Sequence, residues 1–255
     1  GKAVPVILEN SPDASVGIVL NLSPQVPATS SPADRNAARL ADGDFNRWYL
    51  DALAGFGYPA DVLSTYGGAF DGVKPGDMAT IANPVDFLGI NYYTRSIISA
   101  GSGVGDRGFA QVAEPQSEVT EMGWEVYPPG LYDVLVRTYN HYGFQHLYVC
   151  ENGAAYADVV SDDGNVHDMK RVEYFHKHLL QAHRAISVGV PLKGYYAWSL
   201  MDNFEWAFGY SKRFGLVYVD FESQQRILKN SAHYYRDVIS ANSALDPEAV
   251  FVATD

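Results

Sequence analysis

Residues 194–221 read GYYAWSLMDNFEWAFGYSKRFGLVYVDF. The opening, Gly194 to Leu200, is an apolar run of the kind a strand buried on both faces shows. Asp202, Asn203, Glu205 and Trp206 then crowd into five positions. Flat aromatic rings stack on the C–H faces of a pyranose, and one carboxylate accepts hydrogen bonds from two neighbouring hydroxyls. Two tryptophans, Trp198 and Trp206, beside a carboxylate therefore fit a sugar site. A buried strand followed by an aromatic-rich core loop fits the same residues on composition alone.

Three further apolar runs have the same character. Val16 to Leu20 (VGIVL) ends at Asn21, Asp86 to Tyr93 (DFLGINYY) follows the breaker Pro84, and His146 to Cys150 (HLYVC) runs into Glu151-Asn152-Gly153. Helical signals separate them. Residues 1–10 read as the tail of a helix. Ser31, Pro32 and Asp34 make a helix start with N-cap, first-turn proline and dipole partner, and that helix carries Phe45, Trp48, Tyr49 and Leu53 towards a core before Gly55 and Pro59. Short helices are expected at 60–66 and 77–82. A longer one runs from Pro129 to Gly143 and another from Asp168 to Ser187, closed by Gly189 and Pro191. The last lies near Ala232–Ile239, before an irregular tail. Residues 100–120, glycine-rich and then polar, read as a long loop.

Strand and helix alternate, as in a parallel α/β architecture. No glycine-rich phosphate fingerprint follows any strand, which speaks against a nucleotide-binding sheet. In a (β/α) barrel the functional residues stand just past the C-terminal ends of the strands. Those positions are Asn21, then Asn91 and Tyr93, then Glu151, then Trp198 with Glu205, and they point to a single cleft. Four strands are half of such a barrel, and residues 1–255 read as one domain.

Lys and Arg total 18 against 30 Asp and Glu, a net charge of -12, which argues against nucleic acid or an anionic membrane as partner. No apolar run is long enough to cross a bilayer. The single cysteine, Cys150, excludes a disulfide framework inside the chain. It precedes Glu151 in an apolar strand, so regular alternation points the two side chains to opposite sides and makes Cys150 a buried small hydrophobe. His176, His178 and His183 share a helix without the spacing of a zinc pair and read as solvated; neither metal nor cofactor is expected.

Several stretches together resemble glycoside hydrolase family 1, the retaining β-glucosidases. LYVCENGAAY resembles the family's nucleophile motif, with Cys150 where the family usually has Thr. WSLMDNFEWAFGYSKRFGLVYVD matches its C-terminal signature, and DFLGINYYTR, MGWEVYPPGLYDVL and VGIVLNLSP fit as well. The resemblance spans residues 16 to 221. It implies an eight-stranded (β/α) TIM barrel, considerably longer than this chain, of which this chain supplies strands five to eight. It implies Glu151 as nucleophile, Tyr93 as its hydrogen-bonding partner, and Asn91 and Asn21 in the same pocket. Trp124 would begin the aglycone side, Trp198 would floor the sugar, Glu205 would take the 4- and 6-hydroxyls, Trp206 would bound that pocket, and Phe214 would form its outer wall. The family's acid/base lies in an N-E-P motif that these residues lack. Ala113-Glu114-Pro115 sits in the wrong place and is not given the role.

Three expectations follow. The chain begins as if partway through a protein, and the N-terminal half-barrel is its expected partner. The substrate would be a β-glucoside or short cello-oligosaccharide, unphosphorylated, and this half alone would be inactive or nearly so. A cytoplasmic location fits the single cysteine. The alternative is a non-catalytic half-barrel that binds sugar or assembles with itself.

Overall fold

The computed structural model describes residues 1–101, 107–114 and 116–251. In chain order, α1 (Ala3–Asn10) precedes β1 (Gly17–Asn21) and β2 (Gln25–Pro27), and then come α2 (Pro32–Asp42), α3 (Trp48–Leu53), α4 (Ala60–Tyr66) and α5 (Asp77–Ile81). β3 (Phe87–Asn91), β4 (Ser96–Ala100) and β5 (Phe109–Val112) lead to α6 (Pro129–Tyr142), β6 (Leu147–Asn152) and α7 (Met169–Ser187). The chain closes with β7 (Leu192–Ala197), β8 (Val217–Val219), β9 (Arg226–Leu228), α8 (Asn230–Ala241) and α9 (Pro247–Phe251).

The four apolar runs pair as one parallel sheet in the order β1-β3-β6-β7. Their outer face carries the core. Leu88, Ile90, Leu147 and Val149 are fully buried against Leu131 and Leu135 of α6 and Ala182 and Ala185 of α7. The opposite, inner face is crowded at the centre. A Cβ on Gly89 would stand 2.6 Å from the Cys150 sulfur and 2.8 Å from Val19 Cγ2, so only a glycine lets those side chains meet there.

Local signals place the helices. The Ser31 hydroxyl accepts from the Asp34 N–H at 3.1 Å, with Pro32 in the first turn of α2. Pro129 opens α6 and Gly143, at φ 71°, ends it.

Several expectations are corrected. The helix after Ser31 is interrupted by a π-turn over Gly43–Arg47. The extra residue in that turn rotates the following face. Phe45 and Tyr49, expected inside, are 40% and 53% exposed, while Asn46 and Leu50 turn inward. Asn46 holds the chain after β1 by accepting from the Ser23 N–H and donating to the Ser23 carbonyl. β1 and β7 are not buried on both faces: Val19 is 47% and Tyr196 57% exposed, because both strands lie at the edges of the sheet. Within the expected loop 100–120, β5 pairs antiparallel with β4, and residues 102–106 and 115 lie outside the described residues. The C-terminal tail carries α9, with residues 252–255 outside the described part.

His178 is corrected most sharply. It is fully buried in α7, its ring stacked 3.9 Å from that of Tyr174, with Nδ1 2.7 Å from the Tyr174 carbonyl. Burial in this aromatic setting pushes its pKa down to about 3.

Candidate active site

The strand register brings the expected polar residues into one row. Asn21 pairs with Asn91, and Asn91 with Glu151. Between Ile90 and Asn91 the pairing slips by one residue of β6, and Cys150 is the residue left over. A second slip, between Val149 and Asn152, accompanies it on the β7 side. Regular alternation therefore fails where it was used to separate Cys150 from Glu151. The Cys150 thiol lies on the inner face, against Gly89 and Val19, and is half-buried rather than enclosed. Burial raises its pKa, and the adjacent Glu151 charge adds to that effect.

Glu151 is the last residue but one of the bulged strand. Its Oε2 accepts a hydrogen bond of 2.5 Å from the Tyr93 hydroxyl. Burial, followed by that bond and the Glu151 charge, holds the Tyr93 phenol far above its ordinary pKa, so the phenol stays a donor at all working pH values. The Tyr93 ring lies 5.3 Å from Trp124 and 6.4 Å from Phe214, and Trp124 lies 6.3 Å from Phe214. These rings form one aromatic cluster beside the carboxylate. Phe214, expected at the outer wall of the sugar pocket, is buried at 2% exposure.

Asn152, next to Glu151, escaped attention in the sequence. It is fully buried, donates to the Tyr92 carbonyl and the Tyr174 hydroxyl, and accepts from the Tyr195 hydroxyl. A polar residue closing an apolar run, just before a glycine, was the available signal. That glycine is required: a Cβ on Gly153 would stand 1.8 Å from the Trp198 carbonyl oxygen.

Trp198 follows β7, its backbone N–H donating to the Asn152 carbonyl at 2.9 Å. Glu205 stands on the next loop, half-buried. Burial raises its pKa, the Glu151 charge raises it further, and the Trp198 indole pulls the other way. Trp206, at φ 39°, is 81% exposed, and no ring among the described residues packs against it. It follows β7, an edge strand of the sheet, in a short 3-10 turn over Trp206–Phe208. Asn91 Oδ1 is buried without a hydrogen-bond partner. Asn21 is exposed at the edge, beside a cleft of about 630 Å³ lined by Trp48, Tyr66 and Arg107 among others. Among the described residues no cluster of His, Cys, Asp and Glu could hold a metal ion.

The family model for glycosyl hydrolase family 1 matches residues 1–244. The chain belongs to that family. Beta-glucosidase A of Acetivibrio thermocellus is 42% identical over 246 residues, covering 95% of this chain and 55% of that protein. A solved AHE enzyme from Alicyclobacillus herbarius superposes with a TM-score of 0.89 at 45% identity, over 94% of this chain and 54% of the other. The beta-glucosidase from Thermotoga maritima, solved in complex with glucoimidazole, gives a TM-score of 0.88 at 40% identity, over 96% and 55%. The chain thus spans about half the length of the curated relatives it matches. Its parallel sheet is strands five to eight of the family 1 (β/α) TIM barrel, and the row Asn21, Asn91, Glu151 runs along the C-terminal ends of those strands. No helix among the described residues is long and apolar enough to cross a membrane.

Proposed function

We propose that this chain carries the nucleophile half of a retaining β-glucosidase site. The observation that carries the reading is Glu151 at the end of β6, held at 2.5 Å by the Tyr93 hydroxyl beside an aromatic cluster. In a retaining mechanism one carboxylate attacks the anomeric carbon and forms a glycosyl ester, while a second carboxyl protonates the leaving oxygen and then activates water. Glu151 takes the first role. Tyr93 orients it by donating to Oε2, which leaves Oε1 as the attacking oxygen. Trp198 offers a ring for the sugar face, and Glu205 accepts from the 4- and 6-hydroxyls. Asn91, with its unpartnered Oδ1, and Asn21 supply further polar contacts, Trp124 opens the leaving-group side, and Trp206 bounds the sugar pocket once the barrel is closed.

The acid/base and the remaining sugar contacts belong, in this reading, to the four strands that complete the barrel and cover β1 and β7. The exposed apolar residues of those edges support this, since open edges invite pairing. This chain alone is then inactive or nearly so. A β-glucoside or short cello-oligosaccharide is the substrate, and the glucoimidazole complex of the Thermotoga relative supports a glycoside ligand. The free Cys150, with no disulfide partner, suits a reducing compartment such as the cytoplasm.

In the completed barrel, Glu151→Gln should lower turnover of an aryl β-glucoside by about 10³-fold or more. Activity retained within about tenfold removes the assignment. Glu205 would face a sugar 6-phosphate as like charge against like, at a cost on the order of several kcal/mol. Cellobiose should therefore be cleaved faster than cellobiose 6-phosphate, and the reverse order would refute the unphosphorylated substrate class.

A further inference from the structure

Glu205 sits on a tight turn, its N–H donating to the Gly209 carbonyl at 2.7 Å and its carbonyl accepting from the Phe208 N–H at 2.8 Å. Phe204, Trp206, Phe208 and Tyr210 around it are 56%, 81%, 49% and 56% exposed. Phe204 meets Tyr210 edge to face at 5.5 Å and Tyr210 lies 4.5 Å from the Phe221 ring, so the exposed tip is tied back to the far side of the loop, and the buried fixing of the loop is at its base.

The base is held by charge. Asp202, three residues before Glu205 and 4% exposed, accepts from the Gly215 N–H at 2.9 Å, the Val219 N–H at 3.3 Å, Arg213 at 2.5 Å and Lys229 Nζ at 2.9 Å. Both ends of the loop thus meet on one carboxylate. Their approach is so close that a Cβ on Gly215 would come within 2.2 Å of the Asp202 nitrogen. Lys229, fully buried, also donates to Asp158 at 2.6 Å. Asp158 belongs to the loop that leaves Glu151. Arg171, fully buried on α7, forks onto Asp158 at 2.8 and 3.1 Å and donates to the carbonyls of Ala154 and Arg213 at 3.1 and 2.8 Å. Arg171 also meets Asp168 at 2.5 Å. Asp158, Asp168 and Asp202 balance Arg171, Arg213 and Lys229 in formal charge.

We propose that this network is a clamp that locks the loop after β6 to the loop after β7 and thereby sets where Glu205 stands relative to Glu151. Asp202, Arg213 and Lys229 are positioning residues for sugar selectivity, acting through Glu205. The inference rests on the reading of Glu205 as the ligand of the 4- and 6-hydroxyls. Buried ion pairs are poor stabilisers compared with apolar side chains of the same volume, because desolvation offsets most of their attraction. Their directional bonds do fix geometry, and here the bonds of the cluster run to the two loops, to β8 and to the helix ends behind them. Sugar recognition needs that, since a hydrogen bond to a hydroxyl weakens steeply with misalignment.

The test uses the completed barrel and two substrates, an aryl β-glucoside and the aryl β-xyloside that lacks the 6-hydroxymethyl group. Arg213→Met removes a donor to Asp202 from a side chain that is 19% exposed, and Lys229→Met removes the buried link. Each variant should lower the glucoside-to-xyloside ratio of kcat/KM by about tenfold, the scale of one charge-assisted hydrogen bond. Arg213→Lys, which keeps a cation, should recover part of the ratio. Should Lys229→Met fail to fold, Arg213→Met and its rescue decide the matter alone. Glu205→Gln is the control. If it lowers the ratio but Arg213→Met weakens both substrates equally, or neither, the clamp is overturned and the reading of Glu205 stands. If Glu205→Gln leaves the ratio unchanged, the role of Glu205 fails and the clamp with it. A general loss of stability would lower both substrates together and leave the ratio in place.

Discussion

The centre of the sheet and its edges are built from the same kind of residue and end in different states. β3 and β6 bury Leu88, Ile90, Leu147 and Val149 completely. β1 and β7, also rich in aliphatic and aromatic residues, leave Val19 and Tyr196 about half exposed. What differs is the number of neighbours. A central strand has a paired strand on each side and a helix behind it, whereas each edge strand has one side open. The contrast teaches that an apolar strand in this chain records a burial that the chain by itself does not complete. It also explains where the site residues are well held: Glu151, on a central strand, has Tyr93 and the Asn152 network around it, while Trp198, Glu205 and Trp206 follow an edge strand and depend on the charged clamp below them.

The largest effect is expected at the centre. Ile90→Ala should lower the unfolding free energy of this chain by about 2–5 kcal/mol in denaturant titration, because it removes a fully buried side chain and leaves a cavity. A cost below about 1 kcal/mol would mean that the centre is no better packed than the edge.

His178 gives the next effect. Its folded pKa is pushed down to about 3, below the ordinary 6.5, so the unfolded chain takes the proton first as pH falls. Its contribution to stability is complete above about pH 6.5 and is lost as pH falls towards 3. At pH 5 the loss should reach about 2 kcal/mol relative to neutral pH, at roughly 1.4 kcal/mol per pH unit. His178→Gln should flatten that part of the stability profile; an unchanged slope would show that the ring is not held neutral.

The smallest effect belongs to the edge. Val19→Ala should change the stability of this chain by less than about 0.5 kcal/mol, as at an ordinary surface position. In a barrel whose remaining strands cover β1, the same change should cost about 1–3 kcal/mol, because Val19 then becomes interior. An equal cost in both settings would separate β1 from the barrel interior.

The strand runs were legible because period and length are local properties. VGIVL, DFLGINYY, HLYVC and the run after Gly194 all fall on observed strands, although the last is shifted to Leu192–Ala197. Capping residues made α2 and α6 equally plain, since Ser31, Pro32, Pro129 and Gly143 act on their own turns. Phe45 and Tyr49 misled because a π-turn, which no propensity announces, moved the face of the helix after Gly43. Cys150 misled because alternation holds only in a regular ladder, and a bulge breaks the ladder at that residue. His178 misled because a histidine carries no mark of the partner it will stack on, and Tyr174 and Tyr92 surround it only once α7 is packed on the sheet.

The sequence by itself determined the alternation of strands and helices, the polar residues at the strand ends and the motifs that tie the chain to its family, all of which follow from neighbours close along the chain. Long-range packing is what brings the Tyr93 hydroxyl to Glu151, buries Asn152 behind it, and gathers Asp158, Arg171, Asp202, Arg213 and Lys229 at the base of the loop that carries Glu205. Those partners lie tens of residues apart, and no local rule couples them. What selects them is the packing of α7 and α8 behind the sheet, which removes the groups from water and leaves each donor only an acceptor from another part of the chain.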